Sequence, residues 1–229
     1  MGVIELIPRT APAHKRVNVY VSCKEMKVAI DTSVWLHEFA LRHARAVVLE
    51  KDPSGVIDDV TRRAAHMVRR GITPVFVFDG AAAEAKGGTV EARVKRRAAA
   101  YARFEAQDIE DVSATDSSLR AAINITWDMV SAVIDALRLR GFAHFVAPYE
   151  ADGQLAALSK AGIVGAVFTI DSDIVVLGAQ LTYLKINYYT GSAILIDQAA
   201  LARVPGAMRA PRVPTTIRVH RCPTRLSEL

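Results

Sequence analysis

Residues 166–175 read AVFTIDSDIV, an apolar run that ends in two carboxylates, Asp171 and Asp173. A short apolar run bounded by acidic or turn residues predicts a strand that is buried on both faces. The same arrangement recurs upstream, where acids follow VAI, VFVF and FVAPY: Asp31, Asp79, and the pair Glu150 and Asp152. The sequence therefore predicts several buried strands, each followed by acid.

Strands alternate with helical segments along the chain. The apolar pattern predicts strands at residues 28–30, 75–78, 145–146, 166–170, 181–186 and 193–196. Helical spacing is found between them, at residues 34–49, 56–69, 90–106, 127–139 and 152–161. This alternation favours an α/β fold with a mostly parallel central sheet and helices on both faces.

Two regions depart from the alternation. Residues 80–124 form a long excursion, small and basic at first and then acidic and polar. From about Arg203 the chain is rich in proline and arginine and has little periodicity. We therefore expect one domain over residues 1–201 and a divergent basic tail over residues 202–229.

Composition limits the class of protein. The formal net charge is +5 with a pI of about 9.4, which points to an anionic partner where the charge is clustered. Cys23 and Cys222 lie at opposite ends and match no metal spacing, so we expect reduced thiols in an intracellular protein. Since no apolar run approaches the roughly 20 residues that cross a bilayer, we expect a soluble protein without a membrane partner. We also expect it to be a monomer.

The predicted strand ends bring acids together. In an open parallel sheet, ligands bind at the carboxyl ends of the strands. Side chains two apart on an extended segment point the same way, so Asp171 and Asp173 are expected to address one point. At a helix start, Glu150 and Asp152 both turn toward the first turn, whose positive end favours ionised carboxylates. The alternative for any single acid, such as Asp31 before Thr32, is an ordinary helix N-cap.

Six acids at one edge would repel one another unless cations neutralise them. Oxygen ligands without His or Cys suit Mg²⁺ or Mn²⁺ rather than Zn²⁺. Two such ions roughly 4 Å apart are the usual apparatus for attack of water on a phosphodiester. The sequence therefore favours a nuclease that uses two Mg²⁺ ions, for which Mn²⁺ can substitute.

A basic segment follows Asp79. Residues 86–103 read KGGTVEARVKRRAAAYAR. On a helix, four arginines fall within about a third of the circumference, at 100° per residue: Arg93, Arg96, Arg97 and Arg103. A solvated basic face is the alternative, but a contact with the phosphate backbone, weakened by salt, is the functional hypothesis.

Several motifs together resemble the XPG/flap-endonuclease superfamily of structure-specific 5′ nucleases, and within it the eukaryotic exonuclease-one branch. The resemblance runs from Met1 to about Leu201. It rests on these stretches: MGVIEL, AIDTSVWLH, PVFVFDG, INIT, VAPYEADGQLAALSKAGIV and TIDSDIVVLGA. The resemblance implies a PIN-like 5′-nuclease fold with a helical arch, here residues 80–124.

The resemblance also implies roles for individual residues. The metal ligands would be Asp31, Asp79, Glu150, Asp152, Asp171 and Asp173. Lys86 and Arg93 match the basic pair that contacts the scissile phosphate. The Gly2 amine matches a start near the active site, and His37 occupies a position where a ring stacks on a base, although a surface histidine is the alternative.

The implied function is 5′→3′ exonuclease and flap cleavage of DNA in repair or replication, in the nucleus, with repair or replication proteins as possible partners. The family pattern continues into a seventh carboxylate, in an LSGCDY-like segment, and a Gly-rich helix–two-turn–helix. This chain leaves the pattern near Arg203. A second hypothesis is therefore a truncated, weak or inactive paralogue that binds DNA without cutting.

A third hypothesis takes residues 171–175, DSDIV, as a phosphatase motif in which Asp171 is the nucleophile and Asp173 the general acid. It leaves Asp79, Glu150 and the basic segment unexplained. Turnover of a small phosphomonoester without turnover of DNA would favour it.

Overall fold

The computed structural model describes residues 13–80, 87–106 and 112–204. Its strands are β1 His14–Asn18, β2 Lys27–Asp31, β3 Thr73–Phe78, β4 Ala143–Val146, β5 Ala166–Phe168, β6 Leu181–Leu184 and β7 Ser192–Asp197. They form one sheet in the order β1-β7-β6-β5-β2-β3-β4. The pairs from β6 to β4 are parallel, and β7 lies antiparallel to β6 and β1. The mostly parallel α/β sheet predicted from the sequence is confirmed.

The strand order reverses between β2 and β5. The chain proceeds outward from β2 through β3 to β4 and then returns to place β5 on the other side of β2. Such a switch point opens a crevice at the carboxyl ends of the two strands. Four of the predicted acid positions follow β2, β3, β4 and β5, so the topology directs them toward this crevice.

The helices are α1 Val19–Ser22, α2 Thr32–Arg42, α3 Ser54–Arg69, α4 Gly87–Glu105, α5 Val112–Ala122, α6 Trp127–Leu139, α7 Ala151–Lys160, α8 Asp173–Val176 and α9 Gln198–Leu201, with a π-helical turn at Ala46–Glu50. The prediction of one helix over residues 34–49 is wrong, since α2 ends at Arg42. There the His43 ring turns toward Asp59, with its Nε2 3.0 Å from the Asp59 carboxylate. Gly55 leaves room for the ring, because a Cβ at this position would lie 2.6 Å from His43 Nδ1.

Two more elements escaped the sequence patterns. Strand β1, HKRVN, is an edge strand with mostly exposed side chains, so it lacks the apolar alternation that predicts a strand. Helix α5 lies in the segment predicted to be acidic and polar, and it packs against α4 through buried Ala100 and Leu119. The two helices occupy the excursion predicted from residues 80–124.

Helix α7 covers one face of the sheet at the switch point. Leu155 and Leu158 of α7 pack in a cluster with Ala29, Val77 and Val167 of three strands. These side chains are almost fully buried, which fixes the direction of α7 relative to the strand ends. The N-terminus of α7 therefore lies at the carboxyl edge of the sheet.

By compactness the chain divides into two units. One comprises Met1–Thr32, Ala65–Gly80 and Phe142–Leu229, and its described part contains the whole sheet. The other comprises Ser33–Ala64 and Ala81–Gly141, and its described part contains α4, α5 and α6.

Cys23 is buried and forms no disulfide, and burial raises the pKa of its thiol. Cys222 and residues 205–229 of the predicted tail lie outside the described residues. Within the described ranges, no helix is long and apolar enough to cross a bilayer.

Candidate metal centre

The register of the central strands places the first two acids on one face of the sheet. Asp31 is the last residue of β2 and pairs with Val77 of β3. Asp79 lies two residues beyond Val77, so its position has the same facing along an extended chain. Both acids therefore belong to the face that α7 covers. Asp31 is 5% exposed, whereas Asp79 is exposed.

A buried hydroxyl joins the two strands of the switch point. Ile30 pairs with Phe168, so one residue further Asp31 faces Thr169. The Thr169 hydroxyl donates to Asp31 Oδ2 at 2.8 Å, and its oxygen accepts from the Asp171 amide at 3.0 Å. Thr169 is only 4% exposed. This side chain fixes one oxygen of Asp31 and the backbone that carries Asp171, and sequence reasoning missed it because threonine is common near strand ends.

Asp79 binds the start of α7. Its Oδ1 accepts from the Ala151 amide at 2.8 Å, one of the amides that a helix N-terminus leaves without an internal partner. Gly80 allows the approach, because a Cβ there would lie 1.8 Å from the Ala147 carbonyl oxygen. The Gly80 amide also donates to the Tyr149 carbonyl at 2.6 Å. Asp79 of the PVFVFDG motif is thus needed to bind the Ala151 amide, and Gly80 is needed because no Cβ fits beside the Ala147 carbonyl.

The α7 N-terminus carries the next two acids. Glu150 is the N-cap residue, with an extended backbone and no side-chain cap bond, and its side chain is exposed. Asp152 lies in the first turn and is partly buried. The sequence-based placement of both acids at a helix start agrees with these positions.

Asp152 is surrounded by the negative charges of the other acids. Burial raises the pKa of Asp152 to about 6, together with the negative charges of Asp31, Asp171, Asp79 and Glu150. Each of the four is close enough to disfavour the ionised form of Asp152. The fold therefore concentrates five carboxylates, from four different strand ends, at one edge of the sheet.

Asp171 and Asp173 are arranged differently from the expectation. Strand β5 ends at Phe168 and Asp173 begins α8. The prediction that an extended segment joins the two acids is therefore wrong. Asp171 Oδ1 instead accepts from the Asp173 amide at 2.9 Å, which holds a turn before α8. Both side chains are partly buried. Asp173 is not among the charges that raise the pKa of Asp152.

The donor set suits a hard divalent cation. All the converging donors are carboxylate oxygens, which Mg²⁺ and Mn²⁺ prefer. Over the described ranges, no three His, Cys, Asp or Glu side chains are already grouped to hold one ion. Asp79 and Asp171 each accept a hydrogen bond from a backbone amide instead.

The predicted basic residues lie in the second unit. Helix α4 carries its four arginines as predicted, with Arg93, Arg96 and Arg103 exposed and Arg97 partly exposed. His37 is exposed on α2. Gly2 and Lys86 lie outside the described residues.

Taken together, the parallel sheet and its switch point define an open α/β fold whose acids gather at the carboxyl edge of the sheet. Two family models match the chain, the XPG N-terminal domain over residues 1–100 and the XPG I-region over residues 141–210. The chain belongs to the XPG family, as the resemblance of its motifs predicted.

Curated relatives agree with this assignment. Exonuclease 1 of Xenopus laevis is 32% identical over 201 residues, which cover 87% of this chain and 27% of the relative. Flap endonuclease 1 of Cryptosporidium parvum is 31% identical over 205 residues, covering 86% of this chain and 42% of the relative. The chain thus spans between a quarter and half of the length of these relatives.

A solved structure has the same fold. The catalytic core of Rad2 in complex with DNA substrate superposes with a TM-score of 0.66 at 26% identity, covering 91% of this chain and 58% of that chain. The PIN-like 5′-nuclease fold expected from the motifs is therefore confirmed.

Proposed function

We propose that the chain is a metal-dependent, structure-specific 5′ nuclease that hydrolyses DNA at 5′ ends or flaps. The observation that carries the proposal is the concentration of five carboxylates at the switch point, where burial and the neighbouring charges raise the pKa of Asp152. Hard cations are the natural complement to this charge, and two of them suit phosphodiester hydrolysis. The named activities of the XPG-family relatives, exonuclease and flap endonuclease, support the same reaction.

The proposed ligands of the two Mg²⁺ ions are the six acids Asp31, Asp79, Glu150, Asp152, Asp171 and Asp173. Divalent cations held there supply Lewis-acid activation of water and neutralise charge on the phosphate. Thr169 orients Asp31 and the Asp171 backbone through its two hydrogen bonds. The Ala151 amide orients Asp79 in the same way.

The remaining residues would hold the substrate. Lys86 and Arg93 are proposed to contact the scissile phosphate, and the Gly2 amine to lie close to it. Arg96, Arg97 and Arg103 present further positive charge along α4 for the phosphate backbone. His37 is proposed to stack on a base next to the cleaved bond. The eukaryotic relatives support a role in DNA repair or replication in the nucleus.

Cleavage of defined DNA substrates tests the proposal. The pure full-length chain would be incubated with a 5′-labelled flap and with a recessed duplex, with Mg²⁺, Mn²⁺ or EDTA, across a range of salt. We expect product that requires the cation and decreases with salt. Absence of product with either cation on both substrates would contradict the proposal.

The same experiment separates the other two hypotheses. Salt-sensitive binding of DNA without turnover under either cation would favour a family member that binds without cutting. Hydrolysis of a small phosphomonoester, with DNA left intact, would favour the aspartyl phosphatase.

A further inference from the structure

A shallow cleft of about 600 Å³ lies within the sheet-containing unit, away from the acids. Its described lining residues come from the β1–β2 connection, the end of α3 and the β6–β7 hairpin: Asn18, Tyr20, Val21, Lys24, Val68, Arg69, Arg70, Gly71, Tyr189 and Thr190. We call it the basic cleft. Arg69, Arg70 and Gly71 precede β3, and Lys24 precedes β2, so they belong to the amino ends of strands whose carboxyl ends carry the acids.

The described lining of the basic cleft is positively charged. Lys24, Arg69 and Arg70 are exposed, and none of the described lining residues is acidic. Glu25 follows Lys24 but does not line the cleft. The pKa of the adjacent His66 is lowered by burial and also by the charges of Arg70 and Arg69. A ligand of this cleft would therefore be anionic.

Aromatic side chains accompany the cations. The guanidinium carbon of Arg70 lies 5.0 Å from the centre of the Tyr20 ring, an interaction that holds Arg70 in place. The Tyr20 ring also packs edge-on against His66, at 5.5 Å between centroids. Tyr189 is 91% exposed at the tip of the β6–β7 hairpin. Both faces of the Tyr189 ring are therefore accessible to a ligand.

The loop that carries Tyr189 is well fixed. Asn187 Oδ1 accepts from the amides of Tyr189 and Thr190, at 2.9 and 3.0 Å. Asn18 Nδ2 donates to the Thr190 carbonyl at 3.0 Å, which ties the hairpin to β1. Gly191 has a φ of +80°, and a Cβ there would lie 2.5 Å from Asn18 Oδ1. The exposed ring is therefore presented on an ordered backbone, which lowers the entropy lost when a ligand stacks on it.

We propose that the basic cleft binds single-stranded DNA, with a base stacked on Tyr189 and phosphates paired with Lys24 and Arg69. Cations that follow a backbone, interleaved with an exposed aromatic ring, are the arrangement used to bind single strands without sequence preference. The inference rests on the proposed function for its choice of DNA. The cleft would hold an unpaired strand of the substrate at a place distinct from the acids that cut it.

An acidic peptide is the competing ligand. It would use the same cations, but it would not require a flat exposed ring at Tyr189. The ring has π-faces available on an ordered loop, and every base can stack on it. The structure therefore favours a nucleic-acid strand over a carboxylate-rich peptide.

Binding of a short fluorescent oligothymidylate in EDTA tests the inference without cleavage. Anisotropy titrations would compare the full-length chain with Tyr189→Ala, with Tyr189→Phe, and with the double variant Lys24→Ala/Arg69→Ala. The charge-matched control is Lys15→Ala/Arg16→Ala, which removes two exposed cations from the edge strand β1. A second oligothymidylate with 5-iododeoxyuridine would be photo-cross-linked, and the modified peptide identified by mass spectrometry.

We expect Tyr189→Ala to weaken binding roughly tenfold and Tyr189→Phe to retain it, since the phenylalanine ring still stacks. The Lys24/Arg69 double variant should weaken binding and reduce its salt dependence, while the β1 control does neither. The cross-link should fall on the peptide that contains Tyr189. Wild-type affinity in Tyr189→Ala, with no cross-link there, would overturn the inference, as would an effect of the charge variants alone, which fits an acidic ligand.

The outcome is separable from that of the proposed function. Loss of binding in Tyr189→Ala, in a chain that cleaves nothing with Mg²⁺ or Mn²⁺, would support the cleft and contradict the nuclease. Metal-dependent cleavage together with unchanged binding in Tyr189→Ala would support the nuclease and contradict the cleft.

Discussion

Asp59 and the acids of the switch point differ in the charges that surround them. Asp59 of α3 is 6% exposed and has three basic partners: Arg42 at 2.8 Å, His43 at 3.0 Å and Arg62 at 2.8 Å. Burial alone would raise the pKa of Asp59, but the hydrogen bond from His43 and the charge of Arg42 leave it lowered. Asp59 is therefore a structural acid whose counterions are supplied by the chain.

The acids at the switch point have a different environment. Among the described residues, Asp79, Asp152 and Asp171 form no ion pair with Lys, Arg or His. Burial, together with the charges of other carboxylates, raises the pKa of Asp152. The comparison shows that this chain pairs Asp59 with its own basic residues, whereas burial and other carboxylates surround Asp152. In the function proposed above, a cation from solution would balance this second group of acids.

The largest expected effect comes from removing one acid of the second group. Asp171→Ala should reduce cleavage by roughly a thousandfold or more, because several kcal/mol of transition-state stabilisation by the bound cation are lost. The fold should remain, since within the described part of the chain the Asp171 side chain accepts one hydrogen bond, from the Asp173 amide. Steady-state cleavage of the labelled flap, with circular dichroism for folding, measures both.

The control for this substitution is an acid outside the site. Asp135→Asn removes an exposed ion pair with Arg138, which is expected to matter little. Retained cleavage in Asp171→Ala, or an equal loss in Asp135→Asn, would refute a ligand role for Asp171.

Removing the Thr169 hydroxyl, which joins Asp31 to the Asp171 backbone, should have a smaller effect on cleavage. Thr169→Val keeps the shape of the side chain but removes its hydrogen bonds with Asp31 Oδ2 and the Asp171 amide. We expect a loss of roughly 10- to 100-fold in Mn²⁺ affinity and in cleavage, as for other groups that orient a metal ligand. Thr169→Ser, which keeps the hydroxyl, should restore most of both. Equal behaviour of the two variants would show that the hydroxyl positions nothing.

Substitution in the paired group should affect stability instead of metal binding. Asp59→Asn weakens charged hydrogen bonds to a buried acceptor, so we expect a loss of about 2 kcal/mol in unfolding free energy. Because the pKa of Asp59 is lowered in the fold, its contribution is present at neutral pH and lost in acid as the pH falls through the folded pKa. Urea unfolding at neutral and acid pH would measure this. An altered Mn²⁺ affinity would break the distinction between the two groups.

The smallest effect concerns the raised pKa of Asp152. A carboxyl with a pKa of about 6 in the fold, above its unfolded value, destabilises the protein at pH 7 and ceases to do so in acid. Without divalent cations, Asp152→Asn should therefore raise the unfolding temperature by a few degrees at pH 7.5 but not at pH 4. Thermal melts of both proteins at the two pH values test this. A lower melting temperature at pH 7.5 would mean that Asp152 is paired after all.

The parallel sheet and the acid positions were predictable because four of the apolar runs are followed by acids. Because the carboxyl ends of parallel strands lie at one edge of the sheet, four such strand ends place their acids at that edge. This inference needs no measured distance. The turn at Asp171 was not predictable, since whether β5 continues to Ile170 depends on the hydrogen bonds of Thr169. The edge strand β1 was missed because its stability derives from pairing with β7, not from its own apolar residues.

Residues that act through long-range neighbours also escaped sequence reasoning. The role of Thr169 depends on register with β2, and the cations of the basic cleft are far apart in sequence. Lys24, Arg69 and Tyr189 form no motif, because they come together only through the end of α3 and the hairpin tip. Patterns of neighbouring residues predict elements, whereas sites of this kind need the tertiary fold.

Binding of Mn²⁺, followed by the electron paramagnetic resonance signal of the free ion, tests the concentrated carboxylates most directly. At pH 7.5 the wild-type chain should lower the signal of free Mn²⁺, and this binding should saturate as Mn²⁺ is added. That binding should weaken strongly in Asp171→Ala, persist in Asp59→Asn and disappear when the pH is lowered well below 6. A free Mn²⁺ signal that is the same for the wild type and Asp171→Ala at every concentration would contradict the account.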